Sequence, residues 1–160
     1  IQPWDVRVYT FSQALRHLID EVSAENEFTV TLKTAGLRGI ELGEEYKGQM
    51  LSIVYEAISN VRKHAQAEEV TVSALKVGSR IELVVRDDGV GFRHDSVSPD
   101  SDGEHTGLVS MEERARIIGG RLTIRSKPKR GTAVRLSVTL SAGAEQVREE
   151  SSSGEEGREE

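Results

Sequence analysis

Glu56-Ala-Ile-Ser-Asn60-Val-Arg-Lys-His64-Ala65 closes the longest periodic stretch of the chain. Ile53, Val54, Ala57, Ile58 and Val61 recur at helical spacing as one apolar stripe, which predicts a helix from about Glu44 to Ala65. Glu56, Asn60, Lys63 and His64 gather on one side of that helix at about 100° per residue, displaced from the stripe. A carboxylate, an amide and two basic groups in that arrangement suit a metal-bound polyphosphate. The amide offers a neutral oxygen to a hard cation, and magnesium keeps several waters and the phosphates of its nucleotide. Glu56 could accept a proton from an attacking group, and Lys63 and His64 could meet phosphate oxygens. The same residues also describe a solvated helix side with a favourable Glu-to-Lys pattern.

The rest of the chain supplies a frame for that helix. Towards the N-terminus, Phe11, Leu15, Leu18, Ile19 and Val22 predict an amphipathic helix over about Thr10–Ala24. Phe28–Leu32 alternates like a strand, and Gly36, Gly39 and Gly43 mark the loop after it. Towards the C-terminus, strands are expected at Glu69–Val77 and Arg80–Asp87, joined by a tight Gly78-Ser79 turn. Phe92–Thr106 is polar and without period, a length that in a compact domain points to a functional loop. A helix is expected from about Gly107 to the glycine stop at Gly119-Gly120. Strands Arg121–Ser126 and Thr132–Leu140 then flank the Pro128–Gly131 turn. The order predicts an α+β fold of two layers, a mainly antiparallel sheet with about three helices on one face.

Two further places could carry chemistry. In Ile81-Glu-Leu-Val-Val-Arg-Asp87, alternation puts Asp87 on the face of Ile81, Leu83 and Val85. A carboxylate there is costly unless something donates to it, and the exocyclic amine of adenine is a suitable donor. Gly89 and Gly91, in the turn that follows, let backbone come close to a ring. Thr132 shares the face of Val134, Leu136, Val138 and Leu140, so it offers a second polar group on the same wall. Further on, Gly107-Leu108 opens the third helix, whose free amides and dipole would favour phosphate. His105 and Thr106 lie just before it. A bare Asp-x-Gly-x-Gly or a helix start is weak on its own; their order and spacing after Glu56 and Asn60 point to an ATP site.

Composition bounds the answer. A chain of 160 residues predicts one domain, and with 4% aromatics its core must be aliphatic. Without cysteine, disulfides, zinc clusters and thiol chemistry are excluded, and a reducing, cytoplasmic setting fits. No apolar run approaches the roughly 20 residues of a membrane span. Of the net charge of −6, most sits in the Ser/Gly/Glu/Arg-rich segment Glu145–Glu160, expected to be a disordered acidic tail within residues 143–160. The remainder, a folded domain over 1–142, is near neutral, and nothing suggests nucleic acid as a partner.

Jointly the three segments resemble the N, G1 and G2 boxes of the GHKL ATPase superfamily, which groups gyrase, Hsp90, bacterial histidine kinases and MutL. Glu56–Ala65 and Gly107-Leu-Val-Ser-Met-Glu-Glu-Arg-Ala-Arg-Ile-Ile-Gly-Gly-Arg-Leu122 resemble more narrowly the catalytic domain of NarL/DegS/DesK-type sensor histidine kinases. The resemblance covers about Phe11 to Leu140. It implies a Bergerat-type sandwich that binds ATP and Mg2+, with Glu56 as general base and Asn60 as magnesium ligand. Lys63 and His64 would contact phosphate, Asp87 would read adenine with Thr132 assisting, Phe92–Thr106 would be a mobile ATP lid, and Gly107-Leu108 its anchor. Two positions depart from the pattern: Tyr55 stands where Gln is usual, and His105 where Gly is frequent.

The family also implies partners. Its kinases phosphorylate a histidine on a dimerisation domain and signal onward to a response regulator, so the resemblance implies a homodimeric parent, with or without a membrane anchor, and this domain alone as a monomer. None of the four histidines suits the acceptor role. His17 precedes Leu18 in the first helix, His64 belongs to the quoted stretch, and His94 and His105 lie in the polar loop. The start at Ile1, without methionine, suggests a piece of a longer protein whose acceptor helix lies upstream. The alternative is an ATP-gated module like an anti-sigma factor, sharing the fold and phosphorylating serine on a partner.

Overall fold

The computed structural model describes residues 6–92 and 104–140. The expected lid lies mostly, and the acidic tail entirely, outside these residues. Three α-helices, α1 (Phe11–Glu25), α2 (Glu44–Asn60) and α3 (Glu104–Ile117), accompany five strands: β1 (Thr29–Gly36), β2 (Glu69–Val77), β3 (Arg80–Asp87), β4 (Arg121–Ser126) and β5 (Thr132–Thr139). The strands form one sheet in the order β1-β2-β3-β5-β4. β1 runs parallel to β2 and every other pair is antiparallel, so the mixed, mainly antiparallel α+β sandwich expected from the sequence is what forms.

Period-two burial explains the layering. Val70, Val72 and Ala74 on β2 pair with Asp87, Val85 and Leu83 on β3. Leu83 and Val85 in turn face Leu136 and Val134 on β5. These residues are all buried, and with the apolar stripe of α2 and with Leu15, Leu18 and Met111 they build a single core. Thr10 caps α1 through a reciprocal pair with Gln13, Gln13 N–H to Thr10 Oγ1 and Thr10 N–H to Gln13 Oε1, which fixes where that helix starts. The buried Lys47 of α2 donates to the carbonyl of Tyr9 at 3.1 Å and so ties the two helices together.

Three boundaries differ from the sequence reading by more than a residue: β1 runs on to Gly36, expected in the loop after it, and the other two bear on the site. The long helix is α-helical only to Asn60; Val61–Ala65 forms a π-helical turn, ended by Gln66 in the left-handed region at φ 50°. Five residues in a wider turn do not keep the 100° spacing. Further on, α3 begins at Glu104 rather than at Gly107. The amides that lack helical partners are therefore those of Glu104 to Gly107, and Leu108 is already past the first turn.

Candidate functional site

The pocket grows from the ends of β3 and β5 where they meet α2. Asp87 ends β3 facing the core layer, as alternation required, and is only 7% exposed. Its Oδ1 accepts Gly89 N–H at 2.8 Å, and it also accepts the backbone N–H of Thr132. Burial nonetheless raises its pKa above the ordinary carboxylate value, against those two donors, and the neighbouring Asp88 adds to the rise. Asp88 points the other way: its Oδ1 accepts Glu68 N–H and Glu69 N–H at 2.9 and 3.0 Å. The Glu69 amide chiefly holds its pKa below the ordinary range. One aspartate of the pair therefore pins β2 to β3, and the other is left facing a cavity.

That cavity measures about 130 Å3 and is lined by Ala57, Val61, Val85, Phe92, Leu108, Ile124 and Val134, with Asn60, His64, Asp87, Gly91 and Thr132 as further members. It lies well below the roughly 300–1,000 Å3 that buries a drug-sized ligand. A space of that size suits part of a larger ligand, such as a ring, rather than the whole of one.

Its floor is a close contact between two turns. Gly91 has φ +63°, and a Cβ there would lie 2.0 Å from the Lys127 carbonyl oxygen. Gly131 has φ +78°, and a Cβ there would lie 2.1 Å from the Asp87 carbonyl oxygen. Only glycine permits both the backbone angle and the approach. Ser126 locks the same floor. Its Oγ accepts Phe92 N–H at 2.8 Å, donates to the Gly131 carbonyl at 3.2 Å, and sits 2.8 Å from Thr132 Oγ1.

The candidate residues on α2 divide. Asn60 and His64 line the cavity, but the exposed Lys63 does not, because the π-helical turn breaks the spacing that grouped it with the others. Glu56 stands outside the enclosed volume, against α3: a Cβ on Gly107 would meet Glu56 Oε1 at 2.6 Å and Asn60 Oδ1 at 3.4 Å. The side-chain oxygens of both α2 residues therefore crowd the backbone of the first turn of α3. Gly107 of the expected anchor lies against α2, while Leu108 contributes its side chain to the pocket wall. The side chains of His105 and Thr106 lie outside the described residues.

Sequence reasoning missed Ser126 and the apolar wall. The register Ser126↔Thr132 carries the signal for the first, since a hydroxyl opposite a candidate ligand residue in a hairpin is its natural support. Ile124 and Val134 read only as strand residues, and Phe92 only as the start of the polar loop. No group of three or more His, Cys, Asp or Glu able to hold a metal occurs among the described residues. A magnesium site would thus use the Asn60 oxygen and the ligand's own phosphates, which the position of that oxygen beside the α3 first turn accommodates.

Comparison with known proteins agrees with this geometry. The family model "Histidine kinase-, DNA gyrase B-, and HSP90-like ATPase" matches residues 46–142. The nitrate/nitrite sensor protein NarQ of Escherichia coli is 32% identical over 133 residues, 82% of this chain and 23% of its own length. The histidine-protein kinase/phosphatase DegS of Brevibacillus brevis is 33% identical over 103 residues, 64% of this chain and 26% of its own. This chain thus spans about a quarter of these curated relatives. Among solved structures, the histidine kinase domain of the Erythrobacter litoralis EL346 blue-light activated kinase superposes with a TM-score of 0.70 at 17% identity. That match covers 83% of this chain and 62% of the other, and shows the shared fold. The chain belongs to the histidine kinase-, DNA gyrase B- and HSP90-like ATPase family.

Proposed function

We propose that this chain is the nucleotide-binding half of a histidine kinase reaction, passing the γ-phosphoryl group of ATP to an imidazole presented by a dimeric acceptor domain. The observation that carries this is Asp87. It and Lys47 are the buried charged side chains among the described residues, and Lys47 is accounted for by the Tyr9 carbonyl. Asp87 instead faces a mainly apolar pocket, with Asn60, His64 and Thr132 as its other polar members.

In this reading Asp87 accepts from the adenine amine and Thr132, held by Ser126, faces the same ring. Gly89 and Gly91 keep the turn close to it. Asn60 holds magnesium, which when bound neutralises charge on the β- and γ-phosphates. His64 contacts phosphate, with Lys63 outside the enclosed volume, and the first-turn amides from Glu104 to Gly107 take the phosphate-facing role expected of the anchor. Glu56 sits where it can take the imidazole N–H proton as nitrogen attacks phosphorus and ADP leaves. The response regulator follows in the same relay. The NarQ and DegS likeness supports this reading over the serine-kinase alternative.

The test is to mix the chain with γ-labelled ATP, magnesium and a separately produced acceptor-helix dimer of a related kinase. Acid-labile, base-stable label on the acceptor is expected, with loss in Glu56→Gln. Label on serine would support the anti-sigma-like module instead.

A further inference from the structure

The sheet has a second face, which no helix covers. Residues that alternate with the core, among them Thr71, Ser73, Val84, Arg86, Thr123 and Ala133, point away from the helices. This outer face is strongly basic. Lys33, Arg80, Arg86, Arg121, Arg125 and Arg135 lie on it, against Glu69 and Glu82. Glu82 is already engaged: Arg80 Nε is 2.8 Å from one oxygen, Arg135 is 3.6 Å from the other, and Ser137 donates at 3.1 Å.

The remaining arginines are focused on one spot. Arg86 and Arg125 are the register partners of Ala133 on its two sides, and Arg135 follows two residues along β5. The small alanine leaves a hollow, lined by Arg86, Thr123, Arg125, Ala133 and Arg135. Arg86 and Arg125 are exposed, and no carboxylate of the described residues makes an ion pair with either. Guanidinium groups gathered over a hollow repel one another until an anion bridges them, and carboxylates fit the guanidinium fork well.

We propose that this hollow is the docking site, within the same molecule, of the acidic C-terminal segment Glu145–Glu160. That segment holds seven Glu against two Arg, a net −5, complementary to the basic face. It also starts close by. Leu140, tied by its N–H to the Ser79 carbonyl at 2.7 Å, ends the strand that carries Ala133 and Arg135. Ala133 lies back along β5 from Leu140 by about 23 Å at roughly 3.3 Å per residue. Glu149 and Glu150 follow Leu140 at a chain length of about 30 Å when extended, so they reach the hollow once the small Ser141-Ala-Gly-Ala144 stretch reverses direction.

Tethering gives the segment an effective concentration on the order of millimolar, enough for several individually weak ion pairs to act together. A nucleic acid is disfavoured as occupant because the face carries no aromatic side chain on which bases could stack. Docking screens the basic face from acidic partners, and a competing polyanion or high salt releases it.

The test uses the full chain and its variant with Glu149, Glu150, Glu155 and Glu156 each changed to Gln, compared by 1H–15N NMR. At about 20 mM salt, the amides of Arg86, Thr123, Ala133 and Arg135 and the Nε–Hε of Arg86 and Arg125 should differ between the two proteins. The difference should collapse near 1 M salt, where the Debye length falls to about 3 Å. In the reciprocal variant Arg86→Ser/Arg125→Ser, the tail amides should move. Identical outer-face resonances at low salt would overturn the inference. A difference that grows with protein concentration would overturn it too, because the occupant would then be another molecule's tail.

Discussion

Asp87 stands between stability and binding. Its carboxylate is buried, accepts two backbone amides, and still has a raised pKa because desolvation dominates. The sign of the linkage follows. The folded state holds the proton more tightly than the unfolded one, so Asp87 favours folding below its ordinary value of 3.8. That contribution is lost as pH rises through the higher folded value. Asp87→Asn, which keeps an oxygen for Gly89 N–H, should therefore raise Tm at pH 7, with the gain shrinking as pH approaches 3.8. The same change should weaken ATP binding about 10- to 100-fold, as expected when a buried acceptor for a ligand donor is altered at roughly 1–3 kcal/mol. Calorimetric titration and thermal melts on one pair of proteins check both signs. Alternation alone made Asp87 and Thr132 legible, because period two is a local property of the chain. Ser126 and the meeting of Glu56 with Gly107 were not legible, since both depend on how distant elements abut.

At the scale of elements, most boundaries followed from local signals: strands β2, β3 and β4 fall where the residues put them. The end of α2 did not, because no propensity scale marks the shift from α to π spacing. That shift sorts two adjacent basic residues, leaving His64 on the pocket wall and Lys63 outside it. His64→Ala should thus lower nucleotide affinity about tenfold, near 1.4 kcal/mol, and Lys63→Ala less than about twofold; titration with a fluorescent ATP analogue distinguishes them. Glycines at element junctions make a second contrast. Gly131→Ala forces a Cβ into the Asp87 carbonyl at positive φ, and neither partner can yield. It should cost several kcal/mol of stability, on the scale of strained backbone plus overpacking, and abolish binding. Gly107→Ala meets side-chain ends rather than backbone: it presses on Glu56 Oε1 at 2.6 Å and lies in ordinary contact with Asn60 Oδ1 at 3.4 Å. It should leave Tm within a few degrees and ATP affinity nearly unchanged while slowing phosphoryl transfer, a split that stopped-flow binding and single-turnover assays resolve.

In the proposed reading the molecule as a whole is a phosphoryl donor whose acceptor comes from elsewhere. The layered fold was legible because every strand and helix has a one-sided apolar pattern, and one face of each finds the same core. Two of the four histidines have described side chains, and neither stands as an acceptor. His17 lies on α1, its ring 4.5 Å from Tyr9, and α1 packs on α2 and the β1 edge, away from the β4–β5 side of the pocket. His64 belongs to the pocket wall, where the proposed reading uses it to contact phosphate. Incubated with γ-labelled ATP and magnesium, the chain alone should therefore bind nucleotide and acquire no acid-labile label. Binding itself should raise Tm by roughly 5–10 °C at 100-fold excess over Kd, the linkage of about 2.7 kcal/mol, so a silent phosphorylation assay cannot be mistaken for an empty site. If label did appear, His94 is the first position to map, being the histidine followed directly by an acid, Asp95. Loss of that label in His94→Ala would move the acceptor into this chain and overturn the donor-only reading.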